Sequence, residues 1–229
     1  MKWMCKNRNI TRPRGQNDFR ALKEAQKYCI LYENWDFMLI FSSIKTKKRL
    51  DKLEFVEDCM TIEKVRCNGF SEINLDAFNR QQEITRMYVR KDEKYVLEEH
   101  PGVMDWSIDK KREVALDLVD SNYISYLALE EGKIIGFMSL VKKLISERMI
   151  LDLIQVDKNF RGQGIGRILW EKAVEEARLN GARELYISAC PSEETINFYR
   201  TMGADVTDNP ILSIANDKPD DLQLVYSLM

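Results

Sequence analysis

Histidine is nearly absent from this chain: of 229 residues, His100 alone carries an imidazole. That excludes His-rich metal sites, paired-His phosphotransfer and most Ser-His or Cys-His hydrolase schemes, unless His100 itself is the base. Cysteine is scarce and unpatterned. The five, at positions 5, 29, 59, 67 and 190, are odd in number and lack CxxC spacing. Neither a zinc knuckle nor a secreted disulfide framework is expected, and a reducing cytosol fits better. No apolar run approaches the ~20 residues that span a bilayer. The most apolar stretch, Tyr28 to Ile44, is broken by Glu33, Asn34 and Asp36, and no signal-peptide core opens the chain. A cytoplasmic location without a membrane partner is therefore the expectation. With five Pro, ten Gly and no low-complexity tract, most of the chain has no compositional reason to be disordered. What is present is 45% hydrophobic residues, enough for one generous core. The chemistry is left to carboxylates, tyrosines, backbone groups or a cofactor, with no metal.

The net charge of −2 hides a split. Residues 1–59 hold 13 Lys/Arg against 8 Asp/Glu, whereas residues 60–229 hold 22 against 29. The first part reads as a basic N-terminal extension of unknown role. Nucleic-acid binding is not expected of it, because a basic run is usually a solvated face. The second part, opening at Met60, reads as the working domain.

From Met60 the pattern alternates. Thr61 to Arg66 reads as a strand, Asn74 to Arg90 as a helix with Leu75, Phe78, Ile84 and Met87 on its apolar face, and Lys91 to Trp106 as an irregular stretch turning at His100-Pro101-Gly102. Ser107 or Asp109 caps a helix to about Val119, and Tyr123–Leu129 with Lys133–Val141 forms a hairpin. Met149–Val156 is apolar enough for a buried strand. A helix runs from the glycine turn to about Asn180, a strand covers Leu185–Ala189, Ser192 caps a helix through about Met202, and Gln223–Leu228 closes as a strand. This order predicts an α/β fold with a mixed sheet.

The informative segment is Arg161-Gly162-Gln163-Gly164-Ile165-Gly166, between a strand and a helix. Alternate glycines let backbone N–H groups converge without Cβ obstruction, and the helix N-terminus adds a positive dipole end, which suits a diphosphate. Two familiar readings fail on spacing. A Rossmann fingerprint needs glycine where Arg167 stands, and a P-loop needs Gly-Lys-Ser/Thr where the chain has Gly166-Arg167-Ile168. Downstream stand Asn197-Phe198-Tyr199-Arg200 and Gly203.

Together the two segments resemble the GNAT superfamily of acyl-CoA-dependent N-acetyltransferases, over about residues 60–229. The run Ser188 to Thr195 is most similar to that of small bacterial members. The resemblance implies a mixed, mostly antiparallel sheet flanked by helices, with splayed parallel central strands forming the cleft for coenzyme A. It implies that Arg161, Gly164 and Gly166 belong to the loop that holds the pyrophosphate of acetyl-CoA, with Gly162, Gln163 and Ile165 inside it. It also implies that Leu153, Ile154 and Val156 bond the pantetheine arm, that Asn197 contacts the cofactor, and that Tyr199 faces the thioester. Many members of the family are dimers, so a homodimer is one available assembly.

Departure of the coenzyme thiol favours a nearby phenol as acid, for which Tyr199 is the candidate. A plain core aromatic beside Phe198 is the alternative. The acceptor amine must lose a proton, and with no histidine in the motif region a carboxylate must take it. Asp152 is the first candidate, since a charge inside an apolar strand is costly unless paired or useful. Glu83 and Asp105 are candidates for acceptor binding. The acidic balance of 60–229 favours a small cationic amine as acceptor. A protein N-terminus or lysine, or a non-catalytic coenzyme A-binding regulator, are the alternatives.

Overall fold

The computed structural model describes residues 60–66, 68–92 and 94–229. The basic segment 1–59 lies outside the described residues. The elements in chain order are β1 (Thr61–Lys64), β2 (Gln82–Lys91), β3 (Lys94–Met104), α1 (Ile108–Val119), β4 (Tyr123–Glu130), β5 (Lys133–Ile145) and β6 (Arg148–Val156). There follow α2 (Ile165–Leu179), β7 (Glu184–Ala189), α3 (Glu193–Thr201), β8 (Asp205–Val206), α4 (Leu212–Asp217) and β9 (Leu222–Ser227).

Seven strands form one sheet in the order β1-β4-β5-β6-β7-β9-β8. Every neighbouring pair is antiparallel except β6–β7. Two tight turns fold the centre. Glu131 and Gly132 (φ 50° and 74°) join β4 to β5, and Ser146 and Glu147 (φ 50° and 65°) join β5 to β6. Successive left-handed residues match the twist of a hairpin, although the second turn does this without glycine. The helices sort to two faces. Helices α2 and α3 cover one with Leu169, Trp170, Ala173 and Ile196, packed on Met138, Leu151 and Leu185. Helix α1 covers part of the other, setting Val114, Ala115 and Leu118 against Leu127 and Phe137. The Ser107 hydroxyl caps α1 by accepting from the Lys110 amide.

The span 74–106 departs from the sequence expectation. Residues 74–90 are not a helix: a single 3-10 turn (Glu72–Leu75) buries Leu75, the following loop buries Phe78, and the chain then extends as β2. Residues 94–104 are a strand, and β2 and β3 form a separate two-stranded ribbon. His100-Pro101-Gly102 is therefore not a turn between elements. Ile84 pairs with Gly102 and Arg86 with Glu99, so β3 carries one extra residue there and forms a bulge. A bulge tolerates proline, which has no N–H for the ladder. Elements β8 and α4, absent from the sequence reading, complete the far edge.

Candidate functional site

The site arises where the parallel pair comes apart. Pairing of β6 with β7 runs from Arg148↔Glu184 to Leu151↔Ile187 and stops. Strand β6 continues for Asp152 to Val156 and β7 for Ser188 and Ala189, so main-chain groups on facing edges have no strand partner. Across β6, Leu140 pairs with Leu151 and Ser139 with Leu153, which leaves Asp152 as an extra residue. This bulge bends the strand and changes its facing: Leu151 packs with α2 and α3, whereas Leu153 packs with the α1 layer. The gap widens into a cleft of about 820 Å³ lined by Asp152 to Val156, the glycine turn, Ser188 to Cys190 and the inner side of α3.

At its mouth the turn enters α2. Gly162 and Gly164 have φ of 78° and 88°, a region closed to most side chains. Gly166 makes room in another way, because a Cβ there would crowd Cε2 of Phe198 at 3.1 Å. Among the described residues, the backbone N–H groups from Gly162 to Gly166 have no protein acceptor, while the Gly164 carbonyl already takes the amides of Arg167 and Ile168. Free amides at a helix N-terminus can serve as a cradle for an anion, and the exposed Arg167 lines the cleft beside them.

Arg161 does something the motif does not announce. Its Nε donates to the Val156 carbonyl (3.0 Å), Nη1 to Gln81 (2.8 Å) and Nη2 to Arg80 (2.9 Å). The side chain thus ties the end of β6 to the start of β2, and its backbone leads into the cradle. Buried Asp157 helps, accepting from the Asn79 and Asn159 amides at 2.8 and 2.9 Å.

Tyr199 is buried on α3 and lines the cleft, with its ring against Phe198 (5.2 Å) and Trp170 (5.9 Å). Burial, reinforced by the charge of Asp221 and by Cys190, drives its phenol pKa far above the ordinary value. The hydroxyl therefore stays protonated and can donate a hydrogen bond. Asp152 lines the same cleft, and burial raises its carboxyl pKa against the pull of Lys218 and Lys110. That change moves a carboxylate towards the range useful to a general base.

Other expected residues fall differently. Leu153, Ile154, Val156, Gly162, Gly164, Ile165 and Gly166 line the cleft, but Gln163 and Asn197 are exposed and stand outside its lining. Glu83 lines it from β2 rather than from a helix. There it pairs with Lys158 at 2.9 Å, which lowers its pKa. Asp105 lies between β3 and α1, outside the lining, and accepts from the Trp106 amide at 2.7 Å. His100 is exposed on the ribbon. Sequence reading missed Arg80, Trp106, Lys218 and Asp221. Asp221 reaches the cleft from the turn before β9 and accepts from the Ser188 hydroxyl at 2.9 Å. No spacing rule points to it, because its neighbours in the site come from other elements. No cluster of His, Cys, Asp or Glu suited to a metal occurs among the described residues.

Residues 81–204 match the acetyltransferase (GNAT) family. The chain is 32% identical over 74 residues to streptothricin acetyltransferase of Streptomyces lavendulae, a match covering 32% of this chain and 39% of that relative's length. Its fold is similar to a crystal structure of nourseothricin acetyltransferase (TM-score 0.57, 18% identity, covering 74% of this chain and 99% of that one). It is also similar to a putative streptothricin acetyltransferase from Bacillus anthracis in complex with acetyl coenzyme A (TM-score 0.55, 19% identity, 73% and 96%).

Proposed function

This chain belongs to the acetyltransferase (GNAT) family, and from that premise we propose that it transfers an acetyl group from acetyl-CoA to a primary amine by direct attack in a ternary complex. The observation carrying this reading is the separation of β6 from β7 beyond Leu151 and Ile187, beside a turn whose amides are free. The unpaired edge of β6 can bond the amides of the pantetheine arm as another strand would, and the turn suits its pyrophosphate. When bound, acetyl-CoA supplies an activated thioester carbonyl and a thiol leaving group.

The chain's own groups then divide the work. Asp152, ionised and partly buried at the bulge, takes the surplus proton of the ammonium, directly or through a water. The amine nitrogen bonds to the acetyl carbon as the carbon–sulfur bond breaks, and the second proton that this nitrogen sheds on becoming an amide passes through water to the departing thiolate, which leaves as the thiol. A free N–H on the β7 side of β6 donates to the carbonyl oxygen as negative charge grows there. Tyr199 donates a hydrogen bond to the departing sulfur. Its raised pKa makes full proton transfer uphill, so stabilising the thiolate is its main contribution. Asp152 and Asp221, together with the acidic balance of residues 60–229, support a small acceptor with a cationic amine. On this reading residues 60–229 are the catalytic unit and residues 1–59 an appendage.

The test is acetyl-CoA-dependent thiol release by the full chain across a panel of small amines. Release that rises with at least one amine is expected. Release that never exceeds background hydrolysis, from a protein that binds coenzyme A, would leave binding as its only activity.

A further inference from the structure

Arg80 is a buried cation for which acetyl transfer itself has no use. It lines the cleft, yet the residue is only 5% exposed. Its backbone is held from both sides: the Asn79 carbonyl accepts from the Lys158 amide at 2.8 Å, and the carbonyls of Arg80 and Gln81 accept from Arg161. The guanidinium lies over the Trp106 ring, 5.5 Å from its centroid. Nη1 donates to the Met104 carbonyl across 3.3 Å, and Nε, fully buried, has no acceptor.

No carboxylate among the described residues forms an ion pair with Arg80, whereas Arg86, Arg112, Arg148 and Arg183 each have one. Leaving a guanidinium desolvated with unmade hydrogen bonds is costly, and arginine does not escape the cost by losing its proton. A rigid fork stacked on an indole and short of acceptors is a receptor for a planar anion. The lining of the same cleft includes Asp152 and Asp221, so one cavity is bordered by this cation and by carboxylates.

We propose that Arg80 seats a carboxylate of the acceptor, which makes the acceptor class amino acids and related amino carboxylates. This rests on the acetyl-transfer reading for the fate of the amine but not for the recognition itself. A polyamine or a purely basic amino sugar would leave Arg80 unpaired and add a like charge beside it.

The experiment is calorimetric titration of the coenzyme A-loaded full chain with the L-α-amino acids and β-alanine, each beside its carboxamide. Thiol release is then measured for the same compounds with acetyl-CoA. At least one acid should bind about tenfold or more tightly than its amide, the scale of a charge-assisted hydrogen-bond pair. Arg80→Gln should bring the two within about twofold, and Arg80→Lys, which keeps the charge but loses the fork, should fall between them. Circular dichroism and a thermal melt, taken first on each variant, report whether it is folded, and coenzyme A affinity is then measured separately.

Equal affinity for acids and amides throughout the panel overturns the proposal. So does a preference that survives Arg80→Gln, or an Arg80→Lys variant that loses coenzyme A as strongly as it loses the acid, which would place Arg80 at the cofactor end. The two readings fail separately. An acid that binds through Arg80 without thiol release keeps the seat and removes the transfer, while release from amines and amides without regard to a carboxylate does the reverse.

Discussion

Asp152→Asn separates what the carboxylate costs the fold from what it gives the reaction. Asp152 sits at the β6 bulge, and its folded pKa is raised by burial, with Lys218 and Lys110 opposing. An unfolded aspartate titrates near about 3.9. Between that value and the raised folded one, the native state holds more protons than the unfolded state, so stability falls as pH rises through the window. Above the folded pKa the full penalty is present, at about 1.4 kcal/mol for every tenfold difference in proton affinity between the folded and unfolded chain. Asparagine keeps the shape and removes the charge. The variant should therefore be more stable than the parent at about pH 8, by an amount that shrinks as pH falls and vanishes below the unfolded pKa. Urea denaturation at several pH values reads this directly. Activity should move the opposite way. With a general base removed, kcat/KM for the amine should drop by about 10²–10⁴-fold, and the acidic limb of its pH profile should disappear. A variant that is less stable in mild alkali, or one that keeps its acidic limb and most of its turnover, refutes the reasoning. The first result would mean the charge is well paired in the fold, and the second would mean another group takes the proton.

Three further outcomes follow from the site and its frame. Tyr199→Phe removes a hydroxyl that has no partner among the described residues. Stability and coenzyme A affinity should hardly change while kcat falls by about 10²-fold, in steady-state and titration measurements. Gly166→Ala places a methyl 3.1 Å from the Phe198 ring. Better helix propensity, about 1 kcal/mol, should largely offset the crowding in denaturant melts, whereas the displaced ring should weaken coenzyme A binding several-fold by calorimetry. Glu147→Gly relieves a left-handed residue (φ 65°) in the β5–β6 turn and loses only an exposed pair with Arg183. The denaturation midpoint should rise, for a gain of about 0.5–1 kcal/mol.

The sheet was legible where burial is strong. Strands β4 to β7 carry the apolar content that period and turn signals report, and the glycine turn could be placed because its residues are contiguous. The β2–β3 ribbon was not. It stands apart from the main sheet with Ile84 as its one buried apolar residue, so an alternating pattern never forms. Leu75, Phe78, Ile84 and Met87 then imitate helical spacing across a 3-10 turn, a loop and a strand. The same separation hid half of the site. Asp152 and Tyr199 could be proposed because each lies within a motif-bearing element. Arg80 and Asp221 meet them only through the tertiary fold, and their segments look like ordinary charged loops.

The three hydrogen bonds of Arg161 give the cleft a thermodynamic property as well as a shape. They join the carbonyl of Arg80, whose side chain is assigned to the acceptor, to the strand end and turn assigned to the coenzyme. Two ligands acting on one such brace are linked reciprocally. Any factor by which a loaded turn tightens the grip on an amine must return as the same factor in affinity for the coenzyme.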